Sequence, residues 1–250
     1  MSAVLETSVI EKRFGGLVAT NKVSLSLERG ARHALIGPNG AGKTTLINLL
    51  TGVLSVSSGT IRLEGEDITH LKQDGRVRRG LARTFQINQL FADLTPLETI
   101  SLAISERERG GGRWWAPLAS HKAQVREAGE IIERFLLGDV CDYRTGDLAY
   151  GKQRLLEIAT AVALKPRVLL LDEPAAGVPE EERHEILGIV KALPPDVTIL
   201  LIEHDMDLVF AFADRISVLV SGALLTEGTV AEIAADPRVR TAYLGEDGDE

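Results

Sequence analysis

The stretch GPNGAGKTT, at Gly37–Thr45, constrains this chain more than any other part of it. It follows a more mixed run, Ala31–Ile36, with Arg32 and His33 inside it, that reads as a strand, and it opens a helical stretch at about Lys43. The spacing fits G-x-x-x-x-G-K-[ST], a strand–loop–helix cradle for phosphate. Gly37, Gly40 and Gly42 let the backbone wrap close to phosphate oxygens, with Pro38 and Asn39 between them. The backbone N–H groups of Gly40, Ala41, Gly42, Lys43, Thr44 and Thr45 are expected to point inward, and the helix start adds a positive dipole. Lys43 is placed to bridge β- and γ-phosphates, the Thr44 hydroxyl to ligate Mg²⁺, and Thr45 to reach the α-phosphate region. This loop predicts a P-loop nucleotide hydrolase core, which kinases and GTPases share with other ATPases.

The rest of the chain supplies the sheet that such a loop requires. Val168–Leu171, Val197–Ile202 and Ile216–Val220 are apolar runs of strand length, as expected for a parallel sheet covered on both faces. Leu155, Ile158, Ala159, Val162 and Ala163 recur at helical spacing, and Gly177–Leu193 reads as a loop entering a helix. Alternating strands and helices predict an α/β fold. The middle, from about Ile87 to Asp147, is mostly helical and looks like an insertion into that core. The expected division is a core of residues 1–86, with a β-rich N-terminal part, and 148–250, with a helical subdomain at 87–147. RERGGGRWW, at Arg107–Trp115, reads as a surface loop or, through Trp114 and Trp115, a loop facing a partner or membrane. The acidic tail, Gly245–Glu250, is expected to fray.

Two further strands end in chemistry. VLLLDEP carries Asp172 and Glu173 at its carboxyl end, where a parallel sheet presents ligands. Asp172 is expected to hold Mg²⁺, and Glu173 to act on the attacking water as a general base or orienting group. TILLIEH ends in His204, whose neutral imidazole can bond the γ-phosphate and the water. His33, His70, His121 and His184 read as ordinary core or surface residues. The balance of 36 acidic against 28 basic residues, a net charge of -8, argues against nucleic acid as a partner. A single cysteine, Cys141, excludes an internal disulfide and reads as a buried or half-buried small residue. No apolar run reaches the roughly 20 residues that cross a bilayer, and the N-terminus shows no signal-peptide pattern. Any membrane role must therefore pass through a partner.

LAYGKQRLLEIA, at Leu148–Ala159, narrows the reading. It resembles the LSGGQ signature of ABC ATPases, with Leu148, Ala149, Tyr150, Gly151, Lys152 and Gln153 at the signature positions. Gln86, in LARTFQ, matches the family's Q-loop, and Phe14, in KRFGGL, matches the aromatic that stacks on adenine. KRFGGLVA, LARTFQ, DEPAAG and AYLGE resemble the importer branch that takes up branched-chain amino acids, whose relatives carry amides or urea. The resemblance implies a RecA-like core with an ABC-type helical subdomain, and ATP with Mg²⁺ as cofactors. It implies a second ATPase subunit, identical or related, meeting this one head to tail, so that each nucleotide lies between one phosphate loop and the other subunit's signature. It also implies polytopic permease subunits, indirectly a solute-binding protein, and a place at the cytoplasmic face of the membrane. Gln86 would then sense Mg²⁺ and take part in catalysis, and residues 87–147 would receive the permease's coupling helices. An exporter, a nucleic-acid clamp and a non-hydrolysing regulator are the competing readings. The small helical insert, the single core, Glu173 and His204 weigh against the last two. Four departures stand out. Ala149 lacks the usual hydroxyl, Tyr150 replaces a Gly, Lys152 replaces a Gln and either adds a cationic contact or points to solvent, and Pro179 ends the loop after DEPAAG without an N–H.

Overall fold

The computed structural model of the protein describes residues 3–84, 90–108 and 122–244. In chain order, β1 (Ala3–Phe14), β2 (Leu17–Val23) and β3 (Ser26–Glu28) precede β4 (Arg32–Ile36), which feeds the phosphate loop and α1 (Lys43–Thr51). Then come β5 (Ser58–Leu63), β6 (Glu66–Asp67), α2 (Gln73–Val77) and β7 (Leu81–Arg83). The middle holds α3 (Pro96–Arg107) and α4 (Lys122–Arg134). The rest alternates: α5 (Tyr150–Ala163), β8 (Val168–Asp172), α6 (Glu180–Lys191), β9 (Thr198–Ile202), α7 (Met206–Phe212), β10 (Arg215–Val220), β11 (Ala223–Thr229), α8 (Val230–Ala235) and α9 (Pro237–Leu244).

The central sheet has the order β11-β10-β4-β9-β8-β7, parallel from β10 to β7, with β11 returning antiparallel. Parallel neighbours need long crossovers, and the helices supply them. Alternate side chains of these strands enter two cores. Ala34, Ile36, Leu169, Leu171, Ile199 and Leu201 join the cluster built on α3 to α7. Leu35, Val168, Leu170, Leu200 and Ile202 join α1 and an antiparallel sheet of β1, β2, β3, β5 and β6. Both faces are covered, which is why β8 and β9 read as largely apolar runs. Each fully buried Leu or Ile contributes about 1.5–3 kcal/mol.

The helical middle has a defined start. Thr95 and Glu98 form a capping box, with Pro96 in the first turn of α3. Ile100 and Ile104 of α3, Ile131 and Ile132 of α4, Phe135, and Leu156 of α5 share one core. Of the Arg107–Trp115 stretch, residues 109–115 lie outside the described residues, as does the tail at 245–250. Cys141 is half-buried.

The two polar residues of β4 are satisfied inside the fold. Arg32 donates to the carbonyls of Lys191, Leu193 and Val197. His33 is 1% exposed, and its Nε2 lies 2.8 Å from Ser217 Oγ. The Ser217 hydroxyl donates to Glu227 at 3.0 Å, so the neutral ring carries its proton on Nε2 and donates to Ser217. Burial pushes the His33 pKa down to about 4. A depressed histidine leaves stability complete above its unfolded pKa of about 6.5 and removes it as pH falls toward the folded value. We expect wild type to lose about 3 kcal/mol more than His33→Leu between pH 7.5 and 4, read by urea unfolding at each pH. His70 and His184 are exposed, and His121 lies outside the described residues.

Candidate nucleotide site

The carboxyl ends of four adjacent strands meet at one edge of the central sheet. β4 delivers the phosphate loop, β9 delivers Glu203 and His204, β8 delivers Asp172 and Glu173, and β7 ends in Arg83. Ile202 is in register with Leu35 on one side and Asp172 on the other, which aligns the three inner ends.

The loop is pressed against backbone on its outer side. A Cβ on Gly37 would stand 2.1 Å from the Leu219 carbonyl, and one on Gly42 2.6 Å from the Ala19 carbonyl. Gly42 has φ 97° and is the N-cap of α1, with no side chain satisfying the first N–H groups of that helix. Asn39, Gly40 and Thr44 are exposed, and Pro38, Lys43 and Thr45 half-buried. The Ala41 carbonyl accepts from the Gly222 N–H at 2.8 Å, tying the loop to the β10–β11 turn. The Lys43 ammonium donates to the carbonyls of Gly37 (2.5 Å) and Pro38 (3.0 Å), so it lies over its own loop. Phe14 ends β1 and is 47% exposed. The Lys12 ammonium lies 5.1 Å from the centre of its ring.

Asp172 is buried, and Arg83 Nη2 donates to it at 2.6 Å. Glu173 follows with φ 48°, a left-handed conformation that few residues other than glycine adopt. His204 Nδ1 stands 3.8 Å from the Glu173 carboxylate and 3.8 Å from that of Glu203. Sequence reasoning missed Glu203. It is 2% exposed and accepts from the Ala175 N–H (3.4 Å) and the His204 N–H (3.2 Å). Burial raises its pKa, against the lowering effect of those two bonds. It fastens the turns after β8 and β9 together, which sets His204 against Glu173. Gln86 lies outside the described residues.

The signature segment is supported elsewhere. α5 starts at Tyr150 with Ala149 at its N-cap and no side-chain cap. Leu148 and Gly151 are buried, and Ala149 and Tyr150 exposed. The Tyr150 ring lies against Gly177 and 5.6 Å from the Arg154 guanidinium. Gln153 donates to the Leu148 carbonyl at 2.9 Å. Lys152 takes the first of its two expected courses, a cationic contact, and makes it with Asp139. It donates to the Leu136 carbonyl (2.5 Å) and to Asp139 (3.0 Å), pinning α5 to the helical middle. Pro179 stands at the N-cap of α6, where its missing N–H costs no helical bond.

A phosphate loop entering a helix from an inner parallel strand, with a carboxylate pair ending the strand two places along, defines a P-loop nucleotide-binding α/β protein. Residues 20–176 match the ABC transporter family, and residues 223–249 match the C-terminal family of branched-chain amino acid ATP-binding cassette transporters. The chain belongs to the ABC transporter family, as an ATP-binding cassette and ATPase. It is 40% identical to the high-affinity branched-chain amino acid transport ATP-binding protein BraF of Pseudomonas aeruginosa, over 97% of this chain and 98% of that one. It is also 36% identical to the probable branched-chain amino acid transport ATP-binding protein LivG of Archaeoglobus fulgidus, over 97% and 95%. Among solved structures, a nucleotide-free ATP-binding cassette from an ABC transporter superposes with a TM-score of 0.83 at 32% identity, covering 96% of this chain and 98% of that one. The ADP conformation of an ATP-binding cassette superposes with the same score and identity, over 98% and 100%.

Proposed function

We propose that this subunit binds and hydrolyses ATP to power uptake of branched-chain amino acids, or of related small solutes such as amides or urea, through a membrane complex. The observation that carries this reading is likeness over nearly the whole chain to branched-chain amino acid transport ATP-binding proteins, together with the separate match at 223–249.

The residues fit the nucleotide. The loop's outer side is closed by backbone, while the start of α1, which no side chain caps, and the Lys43 ammonium supply positive charge. The Thr44 hydroxyl and the Asp172 carboxylate are hard oxygen donors that suit Mg²⁺, and Gln86 would complete that set. Magnesium held there supplies positive charge to the phosphate oxygens. Lys43 neutralises the β- and γ-phosphates, Phe14 stacks on adenine, Glu173 takes the proton of the attacking water, and His204 bonds the γ-phosphate. The contacts of Leu148–Gln153 include Leu136, Asp139 and Gly177, and those of the phosphate loop include Ala19, Leu219 and Gly222. A head-to-tail dimer of cassettes would bring the one surface against the other subunit's copy of the second.

Residues 87–147 form the subdomain that faces the permease. An open groove lined by Gly52, Val53, Lys72, Arg78, Glu106 and Lys165 lies beside it and offers mixed charge to a docking segment. No helix among the described residues is long and apolar enough to cross a membrane. The subunit acts peripherally at the cytoplasmic face, held by the permease, with a solute-binding protein on the far side.

Uptake of labelled leucine, isoleucine and valine by cells lacking this gene tests the reading. Wild-type protein restores uptake and Glu173→Gln does not. Normal uptake of all three without the gene would overturn the solute assignment.

A further inference from the structure

Arg83 ends β7 beside Asp172, the first carboxylate of the pair. Its side chain is 9% exposed and that of Asp172 is 2% exposed. Nη2 donates to Asp172 Oδ2 at 2.6 Å, and Nη1 donates to Asn48 Oδ1 at 2.7 Å. Asn48 lies one turn beyond Thr44 on α1, so the two share a face of that helix. The guanidinium is thus fixed between the carboxylate and the helix face proposed to hold the metal ion.

We propose that Arg83 is the exchangeable counter-ion of Asp172: it neutralises this carboxylate in the nucleotide-free chain and gives it up when the metal–nucleotide complex binds. The inference rests on the reading of Thr44 and Asp172 as metal-holding residues.

Charge and space support the exchange. A carboxylate buried this deeply needs a partner, because an isolated buried charge is strongly destabilising. Once Asp172 serves a divalent cation, a guanidinium on the same carboxylate faces a like charge at close range in a low-dielectric setting. Arg83 also has somewhere to go. It lines a cavity of about 270 Å³ between α2, β7 and α5, with Gln73, Glu157 and Thr160 among the wall residues as hydrogen-bonding groups. Glu157 there already accepts from Arg154 at 2.7 Å, and Arg154 Nη2 lies 3.5 Å from the Glu173 carbonyl. The withdrawn guanidinium therefore enters a wall that reaches, through Arg154, the main-chain carbonyl of Glu173. Exchange at Asp172 changes the charge facing the cavity, and by linkage anything that binds Arg83 there favours metal binding at Asp172.

The test is a Mg²⁺ titration of binding of a fluorescent ADP to wild type, Arg83→Met, Arg83→Lys and Asp172→Asn, with thermal unfolding of each with and without Mg·ADP. Removing the competing cation should lower the Mg²⁺ midpoint of Arg83→Met about tenfold. The same variant should melt lower than wild type without nucleotide and gain more from Mg·ADP. Arg83→Lys keeps a competing cation and should titrate near wild type. Arg83→Gln carries the same expectation if Arg83→Met does not fold. An unchanged or raised midpoint in the Met and Gln variants, with Asp172→Asn still displacing the midpoint, overturns the exchange alone. No effect of Asp172→Asn overturns the metal assignment and the exchange with it.

Discussion

Glu173→Gln retains ATP binding and releases phosphate on the order of 100 times more slowly than wild type, or slower still. Glu173 is held from several sides. Its N–H donates to the Ile202 carbonyl at 2.9 Å, and its own carbonyl accepts from the Ala176 N–H at 3.1 Å. Its φ of 48° is a conformation that costs a non-glycine residue on the order of 1–2 kcal/mol, so the surrounding bonds must impose it. Backbone held this way aims the carboxylate at the nucleotide edge, with His204 3.8 Å away. Glutamine fits the same space and still orients water through a hydrogen bond, but it cannot accept a proton. Affinity for a fluorescent ATP analogue therefore stays near wild type, and the ATP-bound dimer lasts longer in gel filtration. Full turnover would remove Glu173 from its role, and lost binding would show that its role is structural.

Lys43→Ala weakens ATP binding on the order of 100-fold, the scale expected when one partner of a buried, hydrogen-bonded charge pair is truncated. Without nucleotide, the ammonium satisfies the carbonyls of Gly37 and Pro38 and so closes over the loop it serves. Binding exchanges those two carbonyls for phosphate oxygens, and in the Ala variant no cation is left to make the exchange. Pro38 is half-buried and water can replace its lost donor, while Gly37 is buried, so the loss amounts to about one net hydrogen bond. The melting temperature of the nucleotide-free variant should therefore stay within a few degrees of wild type, for a net hydrogen-bond change of about 1 kcal/mol. Calorimetric titration with ATP separates the two effects. Unchanged affinity would mean that the loop binds phosphate through its backbone alone.

Both residues were legible in the sequence because their signals are local. The glycines and lysine of the loop are fixed in spacing, and Val168–Leu171 and Val197–Ile202 announce buried strands by their largely apolar runs. What could not be read depends on pairs distant along the chain. β7 is three residues, Leu-Ala-Arg, with no run to mark it, and its place at the sheet edge comes from register with β8. Arg83 meets Asp172 across 89 positions. Glu203 looked like the tail of an apolar strand, and only its burial between two turns shows what it fastens. Lys152 had two evident choices in the sequence, and it makes the cationic contact because folding brings Asp139 and the Leu136 carbonyl to it, partners that the sequence could not name. Tyr150, in place of a glycine, packs on Gly177, a neighbour 27 positions on in the fold's own loop after β8. These residues join elements of the core, and their roles follow from tertiary contact alone.

Gentle solubilisation of native membranes, with this subunit tagged, tests the transport reading most directly. The account predicts that polytopic membrane proteins and a second cassette, identical or related, come with it, and that hydrolysis by the recovered complex rises when a solute-loaded binding protein is added. Recovery with soluble proteins or nucleic acid alone, and hydrolysis indifferent to any solute-loaded binding protein, would contradict it while leaving the nucleotide chemistry in place.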